Sequence, residues 1–204
     1  TAAAMLDPVA PFVVPEPVEV ASAEPEPHPE ISPEPVASVE DPPSEEPAPK
    51  PRRTRKTPAQ TEGPFFTPNS PERSNLREAG MAGSPITLTG FVLSRSCRLL
   101  PGALVELWHA DDSGEYDNEG YRLRGHLFTG ADGGYRFDTI VPGLYPGRTR
   151  HFHVKYQAAN QPVLTTQLYF PDEPDNRRDR IFRPELLMRI DGPLARFDAV
   201  LDLA

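Results

Sequence analysis

A chain of 204 residues holds one domain of ordinary size with length to spare, and its net charge of −9, once divided by segment, leaves no basic excess that would signal nucleic-acid binding. The acidity is local: residues 1–50 carry eleven acidic side chains against Lys50, a net of −10, so residues 51–204 come to +1. One cysteine, Cys97, excludes an intrachain disulfide framework, and no apolar run approaches the roughly 20 residues that span a bilayer.

Residues 1–56 read as a disordered, acidic, Pro-rich tail. Thirteen of the 27 prolines fall in residues 1–50, and such a segment buries too little apolar surface to offset its ordering entropy. "PRRTRK" (51–56) closes it as a basic, solvated linker, and the texture predicts one folded domain over 57–204. A cytoplasmic chain is expected, and "TAAAM" at the start leaves open export through a removed signal sequence.

Seven segments then read as strands: 86–94, 103–110, 125–129, 135–140, 150–157, 163–170 and 197–203. Each is rich in β-branched and aromatic residues and is bounded by Gly, Pro, Asp or Asn. "ADGG" (131–134) signals a tight turn, and the polar "SRSCRLLPG" reads as a turn carrying an inert thiol. The one short helix expected lies over 175–182, with Asp175 as its cap. Seven short strands at this spacing predict an all-β fold, a two-sheet β-sandwich.

Within this frame, "GLYPGRTRHFH" (143–153) holds the densest polar chemistry. In an extended strand, residues i and i+2 share a face, so His151 and His153 point one way and Arg150, Phe152 and Val154 the other. The pair by itself fits a metal ion, a buried anion or plain packing. No carboxylate or thiol nearby in the sequence completes an ordinary zinc site. The oxygen donors at hand are phenols: Tyr145 ahead of the Pro146–Gly147 turn, and Tyr116 or Tyr121 in the loop after strand 103–110. Two imidazoles with two phenolates suit a hard, highly charged ion such as ferric iron. Trp108 reads as a core anchor and Gly114 as the residue that turns the loop back. His109 and His126 have no ligand-spaced partner and read as structural, and His28 lies in the tail. The acidic run 111–120 lacks the terminal bidentate Glu of a calcium loop.

The motifs "TPAQTEGPFF", "VELWHADDSGEY", "LRGHLFTGADGGYRFDTIVPGLYPGR", "HFHV" and "TTQLYFPDEPDNRRDRI" together resemble the intradiol ring-cleavage dioxygenases, most closely the protocatechuate 3,4-dioxygenase-like branch. The likeness runs from Thr57 to about Ile190. It implies a non-haem Fe(III) held by Tyr116 (rather than Tyr121), Tyr145, His151 and His153. It further implies that Tyr145 takes a proton from the substrate, that Arg148 offsets negative charge in turnover, and that Gln167 lines the oxygen side. Gly63, Pro64, Gly147 and Ile181 match pocket-wall positions. Two departures stand out: Arg150 precedes the first histidine where Pro or Ala is common, and Gly147 replaces a bulky aromatic. The activity implied is O₂-dependent intradiol cleavage of a catechol-type ring to a cis,cis-muconate-type dicarboxylic acid, and a homo-oligomer is compatible with it. The alternative is a non-catalytic, transthyretin-like sandwich that binds a small aromatic ligand or a metal.

Overall fold

In the computed structural model, which describes residues 54–204, strand β1 (Pro85–Leu93) alternates buried and half-buried side chains along its length. That is the period-2 pattern of a strand with one face on a core. It pairs antiparallel with β4 (Gly134–Ile140). The other strands are β2 (Leu104–Trp108), β3 (Arg124–Phe128), β5 (His151–Gln157), β6 (Leu164–Tyr169), β7 (Arg189–Asp191), β8 (Leu194–Arg196) and β9 (Ala199–Val200). One sheet runs β4-β1-β8-β7 with β9 also on β1, and the other runs β3-β2-β5-β6. Between them lie fully buried side chains including Leu88, Val105, Leu107, Phe137, Phe152, Val154 and Leu168. Burying one such side chain stabilises the fold by about 1.5–3 kcal/mol. The two-sheet, all-β architecture expected from the sequence is present.

Three details differ from the sequence reading. The expected helix over 175–182 is a short 3-10 turn, Pro174–Arg177, and a second such turn covers Pro184–Leu186. Asp175 does not cap the first turn; Glu173 holds the cap position without a side-chain bond. The helix stops because the Asp179 carboxylate accepts the amide N–H groups of Thr149 (3.1 Å) and Ile181 (3.0 Å), pulling the chain out of helical register. The strand expected over 197–203 is reduced to β9, and a separate strand, β8, precedes it at Leu194–Arg196. Between the two, the Phe197 carbonyl passes directly over Gly90, where any Cβ would collide, and the Asp198 side chain takes the Phe91 amide. β7 is too short and too charged to show a period.

Residues 1–53, which include most of the expected tail, lie outside the described residues. From Thr54 the chain already bonds to the sandwich: its amide donates to the Arg95 carbonyl at 2.8 Å, and Lys56 pairs with Asp202. The segment from Thr57 to Phe66 first follows the free edge of β6, where the Gln60 amide bonds to the Thr165 carbonyl and Thr166 to the Pro58 carbonyl, and then crosses onto the outer face of the four-stranded sheet at Gly63–Phe66. That covered outer face positions the site.

Candidate active site

Register brings four chemically distinct side chains into one row across the four-stranded sheet. Arg124 on β3 faces Trp108 on β2, which faces His153 on β5, which faces Gln167 on β6. His151 lies two residues earlier on β5, opposite Tyr169. Both histidines are buried, at 5% and 3% exposure, on the side away from Phe152 and Val154. Their Nε2 atoms are 3.1 Å apart. His151 donates from Nδ1 to the Thr149 carbonyl at 2.6 Å, which leaves its Nε2 lone pair free. His153 lies flat against Trp108, with ring centroids 4.9 Å apart and planes 10° apart, and its buried Nδ1 has no partner. Lys155 extends the column: its ammonium sits 3.3 Å from the centroid of Phe66, which packs on Trp108. Burial lowers the pKa of His151 to about 4, helped by Arg148, and holds that of His153 well below the usual value, helped by His151. Both rings are neutral donors at physiological pH.

The loop after β2 brings Tyr116 to this pair. Asp111 opens the loop by accepting the Ser113 and Glu115 amides on one oxygen, and Gly114, at φ +90°, turns it where a Cβ would strike the Leu144 carbonyl. Tyr116 ends with its ring centroid 6.0 Å from His153 and 6.1 Å from Tyr145. Phe65 stacks on Tyr116 at 4.6 Å and 16° and meets Tyr145 edge-on. Burial pushes the Tyr116 phenol up to about 12, against the pull of Arg148 and Arg124. Tyr121 lies elsewhere: it is exposed, and its hydroxyl donates to the Pro68 carbonyl.

Arg148 and Gln167 are joined directly. Arg148 donates from Nη2 to Gln167 Oε1 at 2.5 Å and from Nε to Asp179 Oδ2 at 2.8 Å. The amide of Gln167 donates to the Thr61 carbonyl, and the Tyr169 hydroxyl lies 2.7 Å from Gln60 Oε1 and 3.1 Å from Gln167 Oε1. Burial alone would raise Asp179, but the Ile181 amide and Arg148 hold its carboxyl below the usual value. Arg150 points away from this network, pairing with Glu173 and bonding to the Pro142 carbonyl.

Of the expected wall residues, Gly63 is the closest to the histidines: a Cβ there would sit 3.3 Å from His153 Cε1. Pro64 follows it on the exposed side. Gly147, at φ +78°, lines a cleft of about 390 Å³ with Tyr145, Arg148, Arg178 and Asp179. Ile181 lines a second cleft of about 610 Å³ with Gln60, Thr61 and Arg180. His109 is a core residue bonded to the Ala110 carbonyl and Thr139, and His126 bonds to the Ser70 carbonyl. Cys97 is exposed in its turn. The sequence pattern did not single out Asp179, Tyr169, Gln60 or Phe65. Only Tyr169 carried a signal there, standing at i+2 from Gln167 on the same strand face.

The residues fit a hard trivalent ion. Among the described residues, no group of three or more His, Cys, Asp or Glu is placed to hold a metal, and the oxygen donors beside the histidine pair are the Tyr116 and Tyr145 phenols. Two neutral imidazoles converge within one coordination sphere, and two phenols flank them. A phenol raised to about 12 gives up its proton only to a strongly charged cation.

A family model described as dioxygenase matches residues 61–191. The chain is 31% identical over 150 residues to hydroxyquinol 1,2-dioxygenase of Nocardioides simplex, covering 62% of this chain and 51% of that protein. It is 32% identical over 136 residues to the protocatechuate 3,4-dioxygenase beta chain of Burkholderia cepacia, covering 56% and 57%. It thus spans about half the length of the relatives it matches. Among solved structures, it is 55% identical to the dioxygenase domain of a dioxygenase carbohydrate-binding protein fusion from Streptomyces sp. SirexAA-E. That match has a TM-score of 0.71 and covers 74% of this chain and all of the other. The fold is shared with an intradiol ring-cleavage dioxygenase of Tetranychus urticae, at 23% identity and a TM-score of 0.66 over 73% of this chain and 95% of that one.

Proposed function

The chain belongs to the intradiol ring-cleavage dioxygenase family, and we propose that it cleaves a catechol-type ring with O₂ between the two hydroxylated carbons. The observation that carries this reading is the convergence of His151 and His153 Nε2 at 3.1 Å beside the Tyr116 and Tyr145 rings. These four residues would hold a non-haem ferric ion, which supplies Lewis acidity toward a chelating catechol. Both atoms of O₂ enter the product, one carbon–carbon bond breaks, and a cis,cis-muconate-type dicarboxylic acid results.

The chain's own groups divide the remaining work. Tyr145 lines the 390 Å³ cleft, and its phenolate oxygen, deprotonated in a ferric site, would accept a catechol proton as substrate enters. Tyr116, pressed under Phe65, stays in place. Arg148, aimed by Asp179 and Gln167, offsets the negative charge that grows on the opening ring. A fixed cation in a water-poor site does this without reorganising at the moment of reaction. The non-catalytic sandwich reading leaves the Arg148–Gln167–Asp179 arrangement without a task.

The test is direct. Protein purified from iron-supplemented cells should be red-brown and hold about one iron per chain. With catechol, hydroxyquinol and protocatechuate in turn under ¹⁸O₂, at least one should give a diacid labelled once in each new carboxylate. A colourless, zinc-loaded protein that iron does not change would sink the proposal. So would a red-brown protein that turns over none of the three.

A further inference from the structure

Arg124 is the one arginine among the described residues that is fully buried, at 1% exposure. Burying a guanidinium is costly unless a carboxylate or a full set of acceptors meets it. No carboxylate lies within salt-bridge distance of Arg124 among the described residues. Its fork ends instead on main-chain carbonyls. Nε and Nη2 both donate to the Asp117 carbonyl, at 2.9 and 2.6 Å, and Nη1 donates to the Phe65 carbonyl at 2.6 Å. The Asp117 carboxylate faces the other way, accepting the Glu119, Gly120 and Arg122 amides of its own turn.

The two carbonyls belong to segments 52 residues apart in sequence, and both bear on Tyr116. Asp117 is the next residue along the chain, so its carbonyl is fixed close to the Tyr116 Cα. Phe65 carries the ring stacked on Tyr116 at 4.6 Å. The base of Arg124 is fixed in turn, because it stands opposite Trp108, the residue stacked on His153. One rigid fork therefore sets both the backbone and the ring cover of Tyr116 relative to the histidines. A lysine, with one compact ammonium on a flexible stem, cannot reproduce that two-sided grip.

We propose that Arg124 is a positioning residue that holds Tyr116 at its distance from the histidine pair by clamping Asp117 to Phe65. This rests on the reading of Tyr116 as an iron ligand. It acts on metal binding through Tyr116 alone, and that separates it from a general contribution to the fold.

A double-mutant cycle read by iron affinity tests it, using the iron-loaded chain in competition with nitrilotriacetate. Arg124→Lys should weaken iron binding about 10–100-fold, as loss of an outer partner of a ligand does, and should shift the visible tyrosinate band. In the Tyr116→Phe background the same substitution should change iron affinity by no more than about twofold, the scatter of independent sites. Equal losses in both backgrounds would overturn the proposal, because Arg124 would then be acting on the fold. If Arg124→Lys does not fold, Phe65→Leu replaces it, with the same pattern expected and the same additive result overturning it. A wild-type chain that binds no iron is recognised separately by its lack of colour, and it would take this inference down with the ligand assignment.

Discussion

Arg148 donates to Gln167 at 2.5 Å while its other edge is held by Asp179 at 2.8 Å, so the guanidinium is aimed from two sides before any substrate arrives. Arg148→Ala should therefore keep iron and colour yet lower kcat by about 10²–10³, the usual cost of one preorganised charge-stabilising donor. Arg148→Lys should fall between the two. Arg150→Ala, which loses only Glu173 and a carbonyl on the far side, should leave kcat nearly unchanged. Steady-state kinetics on an accepted catechol check all three.

Asp179 lines the same cleft as Arg148 and aims its guanidinium. Asp179→Asn should lower kcat about tenfold with iron content retained. It should also lower the unfolding midpoint, because the same carboxylate accepts the Thr149 and Ile181 amides. A loss of stability with kcat intact would show that Arg148 needs no such partner.

The two candidate phenols of the 111–121 loop separate cleanly in space. Tyr116→Phe should abolish or strongly blue-shift the visible band, whereas Tyr121→Phe should leave it intact, since Tyr121 reaches only the Pro68 carbonyl. Absorption spectra of the two iron-loaded variants decide the matter.

Gly63 combines a left-handed φ of +72° with a Cβ position 3.3 Å from His153 Cε1. Gly63→Ala should cost roughly 1–2 kcal/mol from backbone strain and should weaken iron binding by pressing His153 off Trp108. Thermal melts with and without iron would show the variant's deficit widening in the iron-bound form.

Stability should depend on pH through His109. Burial lowers its pKa from 6.5 to about 4, with the Ala110 carbonyl opposing and His151 and Arg124 assisting. Between those values the unfolded chain binds more protons than the folded one. Stability from this group is complete above about pH 6.5 and drains away as pH falls toward 4. At pH 5 the loss is about 2 kcal/mol. Denaturant titrations of wild type and His109→Gln at pH 7.5 and 5 should differ in their pH sensitivity by that amount.

How much of this was legible in the chain depends on the range of the interaction. The strand pattern of 150–157 placed His151 and His153 on one face and Arg150 on the other because alternation is a local property of extended backbone. The loop tyrosines were legible only as a choice, since nothing local sets where a loop of this length ends. The helix expected over 175–182 failed because Asp179 spends its carboxylate on Thr149, a partner 30 residues away. Arg124 and Phe65 were silent for the same reason. Their roles lie in carbonyls and ring contacts that only the register of β2 against β3 and the path of 57–66 bring together.

The loops that carry the two tyrosines touch through backbone at Gly114 and Gly143. The Gly143 amide bonds to the Asp111 carbonyl at 2.6 Å, and a side chain on either glycine would strike the opposite loop. Neither loop can then change length or path without dragging the other. Over evolutionary time the phenol pair must be inherited as a unit. New substrate preferences have to be written where side chains are free to change, as at the exposed Ile181 of the second cleft, because Gly147 has room for a Cβ but its φ of +78° strains any other residue.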